Sequence, residues 1–270
     1  MTEAANDICA LPLVRRMAAL LDRDPASFKE GDPLPRGWHV ALFNPPTPQS
    51  QLRADGAAHL GVTLPDLGLP RLMMGGRKIE FTGDIPIGAR VTRTSQSGEV
   101  TIKEGKSGRF ALIDVEHRIS VDGGAAPVVI ETTSYVLREE ESGPQAPPPP
   151  PAPTPVPRAD HMRTVTPDET MLFRYSAITD NPHRIHYDLA YAQSEGYPAL
   201  VVNGSVPIML LLEMFRAHVG GEPAGFRSRN LAPIFCGAPL TLTLTREADE
   251  WTMRAHGPFG QVALEAKAWQ

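Results

Sequence analysis

The sequence predicts an α+β protein of two related halves, each an antiparallel sheet that covers a helix. Residues 206–215 are apolar at nearly every position, and a helix that is apolar all round belongs inside a protein. Segments that alternate apolar and polar residues lie on both sides of it, as in half-buried antiparallel strands. Residues 84–92 also match residues 233–241, each a turn with Gly-Ala that enters a long strand. This match indicates a duplicated fold.

Composition excludes several classes of protein. Of 270 residues 41% are apolar, which suffices for a core, and the net charge of −5 comes without a basic block, so no nucleic-acid partner is expected. The N-terminus lacks the layout of a secretory signal, and the longest apolar run contains Asn203 and Glu213, so no membrane span is expected. Two distant cysteines, Cys9 and Cys236, favour reduced thiols and a cytoplasmic location.

The first half begins with a predicted helix and continues into a predicted sheet. Residues 9–23 place apolar and basic side chains at helical spacing, which predicts an amphipathic helix. Residues 24–70 are rich in Pro and Gly and predict at most one short strand, near residues 39–43. Alternating segments separated by Gly-containing turns then predict four strands, at residues 77–82, 90–100, 109–120 and 128–137.

A proline-rich segment divides the chain. Residues 139–160 contain almost no large apolar side chain, so we expect an extended, semi-rigid linker that buries no core. The predicted units are residues 1–138 and residues 161–270. We expect the two units to dock side by side and to form one continuous sheet, because each alone would leave a sheet edge exposed.

The second half opens with two predicted helices. Thr166 is the expected N-cap of the first, which runs to about residue 177, and Glu169 closes a capping box. A short helix is expected near residues 188–195, where Asp188 is a natural N-cap and Gly196 follows, and then a strand at residues 199–202.

The apolar helix has clear start and stop signals. Pro207 falls in its first turn, where a missing N–H costs nothing, and Gly220 follows its last turn. At the offset of 149, its counterpart in the first half falls on residues 56–67, which form a poor helix, so the first half is degenerate. Four strands are predicted after it, at residues 226–235, 239–246, 251–256 and 261–269.

The segment before the apolar helix carries the groups that can move or orient protons. They lie within nine residues: Asp180, Asn181, His183, Arg184, His186 and Asp188. Asn203-Gly204 comes just before the helix and leaves backbone N–H groups free at its positive end, which is a place for developing negative charge. The sequence therefore predicts an active site where this loop meets the start of the helix.

A family pattern covers this region. His186-Tyr187-Asp188, Ala192, Gly196-Tyr197 and Gly204 have the spacings of the MaoC-like hydratase/dehydratase family. Residues 173–188 resemble its two-hotdog branch more specifically, which contains 3-methylfumaryl-CoA (mesaconyl-CoA) hydratase and type 2 hydroxyacyl-thioester dehydratases. Markers in the first half agree, namely Trp38-His39, Gln49-Ser50 and Gly75-Gly76-Arg77. The resemblance implies a double hotdog with a degenerate N-terminal hotdog.

Two positions depart from the family pattern. The catalytic carboxylate of the family lies five residues before the catalytic histidine, where this chain has Asn181. Asp180 is the adjacent residue, so a loop slipped by one position would restore a carboxylate. Asn203 stands where the family has a histidine before the helix glycine. Both changes keep the site polar and put the two-group mechanism of the family in question.

The resemblance implies catalytic roles for five residues. His186 would be the base that activates water, because its ordinary pKa lies near working pH. Asn181 would fix that water through both ends of its amide, and His183 would be a second proton carrier. The N–H groups of Gly204 and Ser205 would form the oxyanion hole at the helix start.

Further residues are candidates for substrate contacts. Asn203 borders the site, Arg184 could pair with an anion or be solvated, and Arg229 could meet CoA phosphates or lie on a solvated strand face. No cofactor is expected, and no metal, because His183 and His186 lack a third ligand nearby. The expected partner is an acyl-CoA or acyl-carrier-protein thioester, and a homodimer is a further expectation.

Several functions fit these residues and the family resemblance. The first is a hydro-lyase on a short enoyl-CoA, a branched dicarboxylic one such as mesaconyl-CoA. A 3-hydroxyacyl-carrier-protein dehydratase would run the same chemistry backwards. An inactive acyl-thioester-binding module would fit Asn181 and Asn203. A hotdog thioesterase would need an acid on the central helix, where only Glu213 is available, two turns from the start.

Overall fold

The computed structural model describes residues 2–58, 62, 64–69, 71–105, 108–139, 149 and 151–270. Its α-helices are α1 (Leu11–Leu20), α2 (Glu169–Ile178), α3 (Leu189–Ser194) and α4 (Ser205–Val219). Its strands are β1 (Thr2–Ile8), β2 (Arg71–Phe81), β3 (Arg90–Gly105), β4 (Gly108–Val121), β5 (Val129–Arg138), β6 (His161–Val165), β7 (Gly225–Asn230), β8 (Leu240–Glu247), β9 (Glu250–His256) and β10 (Val262–Trp269). Single 3-10 turns lie at Pro25–Ser27, Trp38–Ala41, Gln49–Gln51 and Arg184–His186.

One antiparallel sheet runs through both halves. Its order is β1-β3-β4-β5-β2-β7-β10-β9-β8-β6, and β2 pairs with β7 at the junction. The expectation of one continuous sheet is confirmed. The pairing of β2 with β7 covers the inner sheet edge of each half. The eight strands predicted from alternation are all present.

The internal repeat is also confirmed. Pro86 pairs with Pro33 in an isolated bridge, and Phe235 pairs with Val201 in another, 149 residues further along the chain. Gly88 and Gly237 follow them at φ 92° and 77°, so the same turn leads into β3 and into β8. Glycine is favoured at both positions because these dihedrals lie in the left-handed region.

Helix α4 is the centre of the core. Its residues from Ser205 to Leu212 are buried, as are Met214 and Phe215. The strands of the second half cover it with the apolar side chains of their inner face, Leu240, Leu242, Leu244, Met253, Ala255, Leu264 and Ala266. Gly220 ends the helix at φ 81°, as the sequence predicts.

The counterpart of α4 in the first half is not where the sequence offset placed it. The bridge at Pro33 corresponds to the bridge at Val201, so the segment after it, Trp38–Ala41, corresponds to the start of α4. It forms a single 3-10 turn. The offset fails here because extra chain, residues 42–70, separates this turn from β2. Residues 56–67 are therefore not the equivalent helix, and residues 59–61 and 63 lie outside the described residues.

Three local predictions are wrong, and two strands were not predicted. Asp168, not Thr166, caps α2, since its Oδ1 accepts the Met171 N–H at 2.7 Å. Residues 39–41 belong to the 3-10 turn Trp38–Ala41 and residues 42 and 43 follow it without forming a strand, and residues 199–202 form only the bridge at Val201. The edge strands β1 and β6 were missed because their sequences are mostly polar and show no apolar alternation.

The described part of the proline-rich linker contacts the second half. The Thr154 N–H donates to the Phe259 carbonyl at 2.8 Å, and Asp160 Oδ2 accepts the Arg246 N–H at 2.8 Å. That the linker buries no core stays a prediction. Its residues 140–148 lie outside the described residues, and the domain limits at 138 and 161 stay a prediction. In the described ranges no helix is long and apolar enough to cross a membrane.

The junction of the halves depends on close backbone approach at Gly76. A Cβ there would collide with the Ser228 carbonyl oxygen on β7. We predict that Gly76→Ala lowers the free energy of unfolding by about 2 kcal/mol or more, measured by thermal and denaturant unfolding. Gly75→Ala is the control, because its Cβ would lie 3.2 Å from Val136 Cγ2 and 3.4 Å from the Ser134 carbonyl oxygen, without the collision found at Gly76. Equal losses in both variants would contradict the role given to the junction.

Candidate active site

A cavity of about 380 Å³ lies where the loop before α3, the start of α4 and the inner sheet face of the first half meet. Six residues that the sequence singled out line it, namely Asp180, Asn181, His183, Asn203, Gly204 and Ser205. The first half contributes further polar residues, among them His39, Arg53, Asp55, Arg77, Arg93, His117, Glu131 and Tyr135. The site is therefore shared between the halves.

The start of α4 presents backbone donors to the cavity. Ser205 is the first helical residue, and the first N–H groups of a helix have no acceptor inside it. Gly204 has ordinary helical dihedrals, φ −58° and ψ −22°, so no turn requires glycine there. A glycine at this position leaves space beside Met74, because a Cβ would lie 3.2 Å from Met74 Cε in the cavity wall. The two N–H groups at the positive helix end can receive a negatively polarised oxygen.

Asn203 carries an unsatisfied acceptor. The side chain is 2% exposed, and its Nδ2 donates to Ser176 Oγ at 3.3 Å. Its Oδ1 is buried and has no hydrogen-bond partner among the described residues. An unpaired buried acceptor costs free energy, so a donor such as a water or a substrate hydroxyl is expected beside it.

The loop carries Asp180 and Asn181 side by side on the cavity wall. Asn181 Oδ1 accepts the His183 N–H at 3.2 Å, which leaves its second lone pair and the amide NH₂ group for a ligand. Asp180 is exposed and has a positive φ of 45°, a conformation that acidic residues tolerate better than most. Both positions stay candidates, and the two-ended water contact expected of Asn181 stays a prediction.

The two histidines occupy different depths. His183 lines the cavity, whereas His186 is 7% exposed, lies behind it and is outside the lining. Their rings are nearly perpendicular with centroids 5.6 Å apart. His186 Nδ1 donates to the Val201 carbonyl at 2.7 Å, so its Nε2 carries the lone pair. Burial lowers the pKa of His186 to about 4, although the hydrogen bond to the Val201 carbonyl raises it in part. The ring is therefore neutral at pH 7.

The first half places a carboxylate beside His183, which the sequence did not reveal. Asp55 Oδ2 lies 3.8 Å from His183 Nε2 and 2.9 Å from Arg53. The Asp55 carbonyl accepts the Arg184 N–H at 2.8 Å, and a Cβ at Gly56 would collide with the Pro182 carbonyl oxygen. Burial lowers the pKa of His183 more than Asp55 raises it. The only signal was a turn-like Asp-Gly pair.

The inner sheet face of the first half holds a buried carboxylate. Glu131 is 7% exposed and contacts His39 Nε2 at 3.0 Å, Arg77 Nε at 3.3 Å and Thr133 Oγ1 at 2.9 Å. Although burial raises the pKa of Glu131, Arg77 and His39 hold it well below its usual range. The sequence marked His39 and Arg77 only as family positions and gave them no role.

Three residues that the sequence singled out lie outside the cavity lining. Arg184 pairs with Asp188 at 2.8 Å, and Asp188 caps α3 through the Tyr191 N–H, so Arg184 does not line the cavity. Arg229 is exposed on β7 and is also outside the lining. Glu213 accepts hydrogen bonds from Trp38 Nε1 at 3.2 Å and from Arg216 at 2.7 Å, away from the cavity. The central-helix acid that a thioesterase would need therefore does not line the cavity.

Together, the continuous sheet around one buried helix and the polar site at that helix's start define a double hotdog of the hydratase and dehydratase class. Residues 37–236 match the family model described as hydroxyacyl-thioester dehydratase type 2. The chain belongs to this family, and the resemblance stated from its motifs is confirmed.

Individual relatives agree with this assignment. The chain is 38% identical over 270 residues to mesaconyl-C(4)-CoA hydratase of Chloroflexus aurantiacus, covering 98% of this chain and 94% of the relative. Among solved structures it resembles HtdX of Mycobacterium tuberculosis, with 17% identity, 99% of both chains covered and a TM-score of 0.70. It also resembles a MaoC-like dehydratase of Phytophthora capsici, with 16% identity, 100% and 95% covered and a TM-score of 0.71.

The buried histidines predict acid sensitivity. Burial lowers the pKa of both His117 and His186 to about 4, below the ordinary value of about 6.5 that holds in the unfolded chain. The folded state therefore binds fewer protons between these values, and stability falls as pH falls through that window. We expect losses of up to about 3 kcal/mol per histidine, measured by denaturant unfolding between pH 7 and pH 5 and below. In His117→Gln the free energy of unfolding should fall less steeply with falling pH. An unchanged dependence on pH would contradict this explanation.

Proposed function

We propose that the protein adds or removes water across the α,β double bond of a short enoyl-CoA, a branched dicarboxylic one such as mesaconyl-CoA. The observation that carries the proposal is the meeting of two helix-start N–H groups, an unsatisfied buried acceptor and His183 at one cavity, with the His186 ring in contact with the His183 ring. Hydration of an unsaturated thioester needs a polarised carbonyl, a positioned water and proton carriers. Each of these needs has a candidate group here.

The helix start would hold the thioester carbonyl. As water adds to the β carbon, negative charge develops on the carbonyl oxygen of the enolate. The N–H groups of Gly204 and Ser205 are already oriented by the backbone, and the helix dipole adds to their effect. Asn203 Oδ1 would accept one hydrogen bond from the attacking water, and the Asn181 NH₂ group would donate to its oxygen.

The histidines would carry the protons. The water oxygen bonds to the β carbon while one of its protons passes to His186 Nε2, the nitrogen that bears the lone pair. The α carbon receives a proton from His183, which lines the cavity. Asp55 favours the protonated form of His183 that this step needs, against the burial that disfavours it. Exchange with solvent restores both rings, and dehydration is the same sequence reversed.

The substrate class is supported by the relative from Chloroflexus aurantiacus, whose name specifies mesaconyl-C(4)-CoA. The family description and a 150-residue match, 29% identical, to a mitochondrial hydroxyacyl-thioester dehydratase of Schizosaccharomyces pombe support the reverse reaction as the second candidate. There the acyl carrier would be a carrier protein. A homodimer and a cytoplasmic location stay predictions.

The proposal predicts loss of the enoyl-thioester absorbance band when the protein is added to mesaconyl-CoA, with slower loss for crotonyl-CoA. His186→Ala should lower kcat by ~10³-fold, because the group acts mainly in the transition state. His218→Ala is the control, since His218 is exposed at the far end of α4. Loss of absorbance with neither substrate would contradict the proposal and favour a binding module.

Further variants in the same assay distinguish the two loop registers. If Asn181 orients the water, Asn181→Ala should cost less than His186→Ala, and Asn181→Asp should retain activity. Asp180→Ala should then be close to the unsubstituted protein. If Asp180→Ala is as inactive as His186→Ala while Asn181→Ala keeps its activity, the catalytic pair instead contains Asp180.

A further inference from the structure

The inner sheet faces of the two halves differ in chemistry. In the second half this face is apolar and packs on α4. In the first half the corresponding helix is reduced to Trp38–Ala41, and the sheet face lines the cavity instead. There it carries four ionisable side chains on four neighbouring strands, namely Arg77 on β2, Arg93 on β3, His117 on β4 and Glu131 on β5. Polar groups of this kind need partners when buried.

The carboxylate in this cluster is already satisfied. Glu131 Oε1 accepts from Thr133 and lies 3.3 Å from Arg77 Nε, and Glu131 Oε2 bonds to His39 Nε2. The cross-strand register explains this arrangement, since Thr133 lies opposite Arg77 on β2. The charge of Arg77 is therefore matched within the cluster.

Arg93 has no such match. Its Nε is buried and has no hydrogen-bond partner among the described residues, and its guanidinium lies 5.1 Å from the centre of the Phe43 ring. Two carboxylates, Glu131 and Asp7, act on the charge of Arg93 through space. The two oxygens of Asp7 accept the backbone N–H groups of Ile8 and Phe43. Burial lowers the pKa of His117 to about 4, so that side chain is neutral.

Arg93 therefore lines the cavity with a buried Nε–H donor that has no acceptor among the described residues, while Glu131 and Asp7 act on its charge only through space. A buried N–H donor without an acceptor is costly, and an incoming anion would relieve that cost. Guanidinium groups bind carboxylates through paired N–H donors, which gives this cluster a preferred ligand chemistry.

We propose that Arg93, supported by Arg77, binds a free carboxylate at the end of the acyl chain opposite the thioester. This inference rests on the proposed function and deepens it. The thioester carbonyl would lie at Gly204 and Ser205, and the acyl chain would cross the cavity to the first half. Apolar side chains line the cavity as well and suit the hydrocarbon of a short branched chain, namely Leu72, Met74 and Ile119. A long uncharged chain would instead place methylene groups against Arg93.

The test compares two substrates in one variant. Arg93→Gln should lower kcat/KM for mesaconyl-CoA by about 10- to 100-fold, the size of a lost charged hydrogen bond, mainly through KM. For crotonyl-CoA, which has no carboxylate, kcat/KM should change less than about threefold. Arg93→Lys should recover part of the lost preference. Arg118→Gln is the matched control, because Arg118 is exposed on β4 and pairs with Glu116.

The outcomes separate this inference from the proposed function. If the unsubstituted protein hydrates neither substrate, the proposed function fails, and the inference fails with it. If it hydrates both and Arg93→Gln lowers both equally while its thermal unfolding is unchanged, only the carboxylate site is overturned. If Arg93→Gln does not fold, Arg93→Met serves in its place, since it also removes the charge, and an unchanged ratio of the two kcat/KM values would refute the inference.

Discussion

Burial of α4 is the constraint on which the rest of the structure depends. A helix that is apolar on every side must be covered on every side, and five strands of one half cannot do so without leaving an open edge. Pairing of β2 with β7 closes that edge and joins the two sheets into one. The same closure brings the first half over the start of α4, so the demand for burial also builds the site.

Loss of the helix in the first half is what makes room for a substrate. In the second half α4 covers the inner face of the sheet. In the first half the corresponding segments are only the 3-10 turn Trp38–Ala41 and the extra chain of residues 42–70. That extra chain supplies Asp55 beside His183, and the uncovered sheet face supplies Arg77 and Arg93. One half therefore positions the reacting bond, and the other half shapes and charges the space for the acyl chain.

The sequence predicted what local patterns encode. Alternation identified the strands β2–β5 and β7–β10, and the motif spacing identified the loop from Asp180 to Asp188, since both depend on neighbours in the chain. It missed β1 and β6, which are polar edge strands. It also missed Asp55, because the contact of this residue with His183 depends on how the halves dock. The placement of His186 behind His183 could not be predicted either, because depth in a cavity is set by packing.

The central claim is that one cavity, built from both halves, holds the thioester at α4 and the acyl end at the first half. The most direct measurement is a crystal structure of His186→Ala with bound mesaconyl-CoA. We predict the thioester oxygen within about 3 Å of the N–H nitrogen of Gly204 or Ser205, and the free carboxylate on Arg93. A thioester bound away from the start of α4, or an acyl chain outside this cavity, would contradict the account.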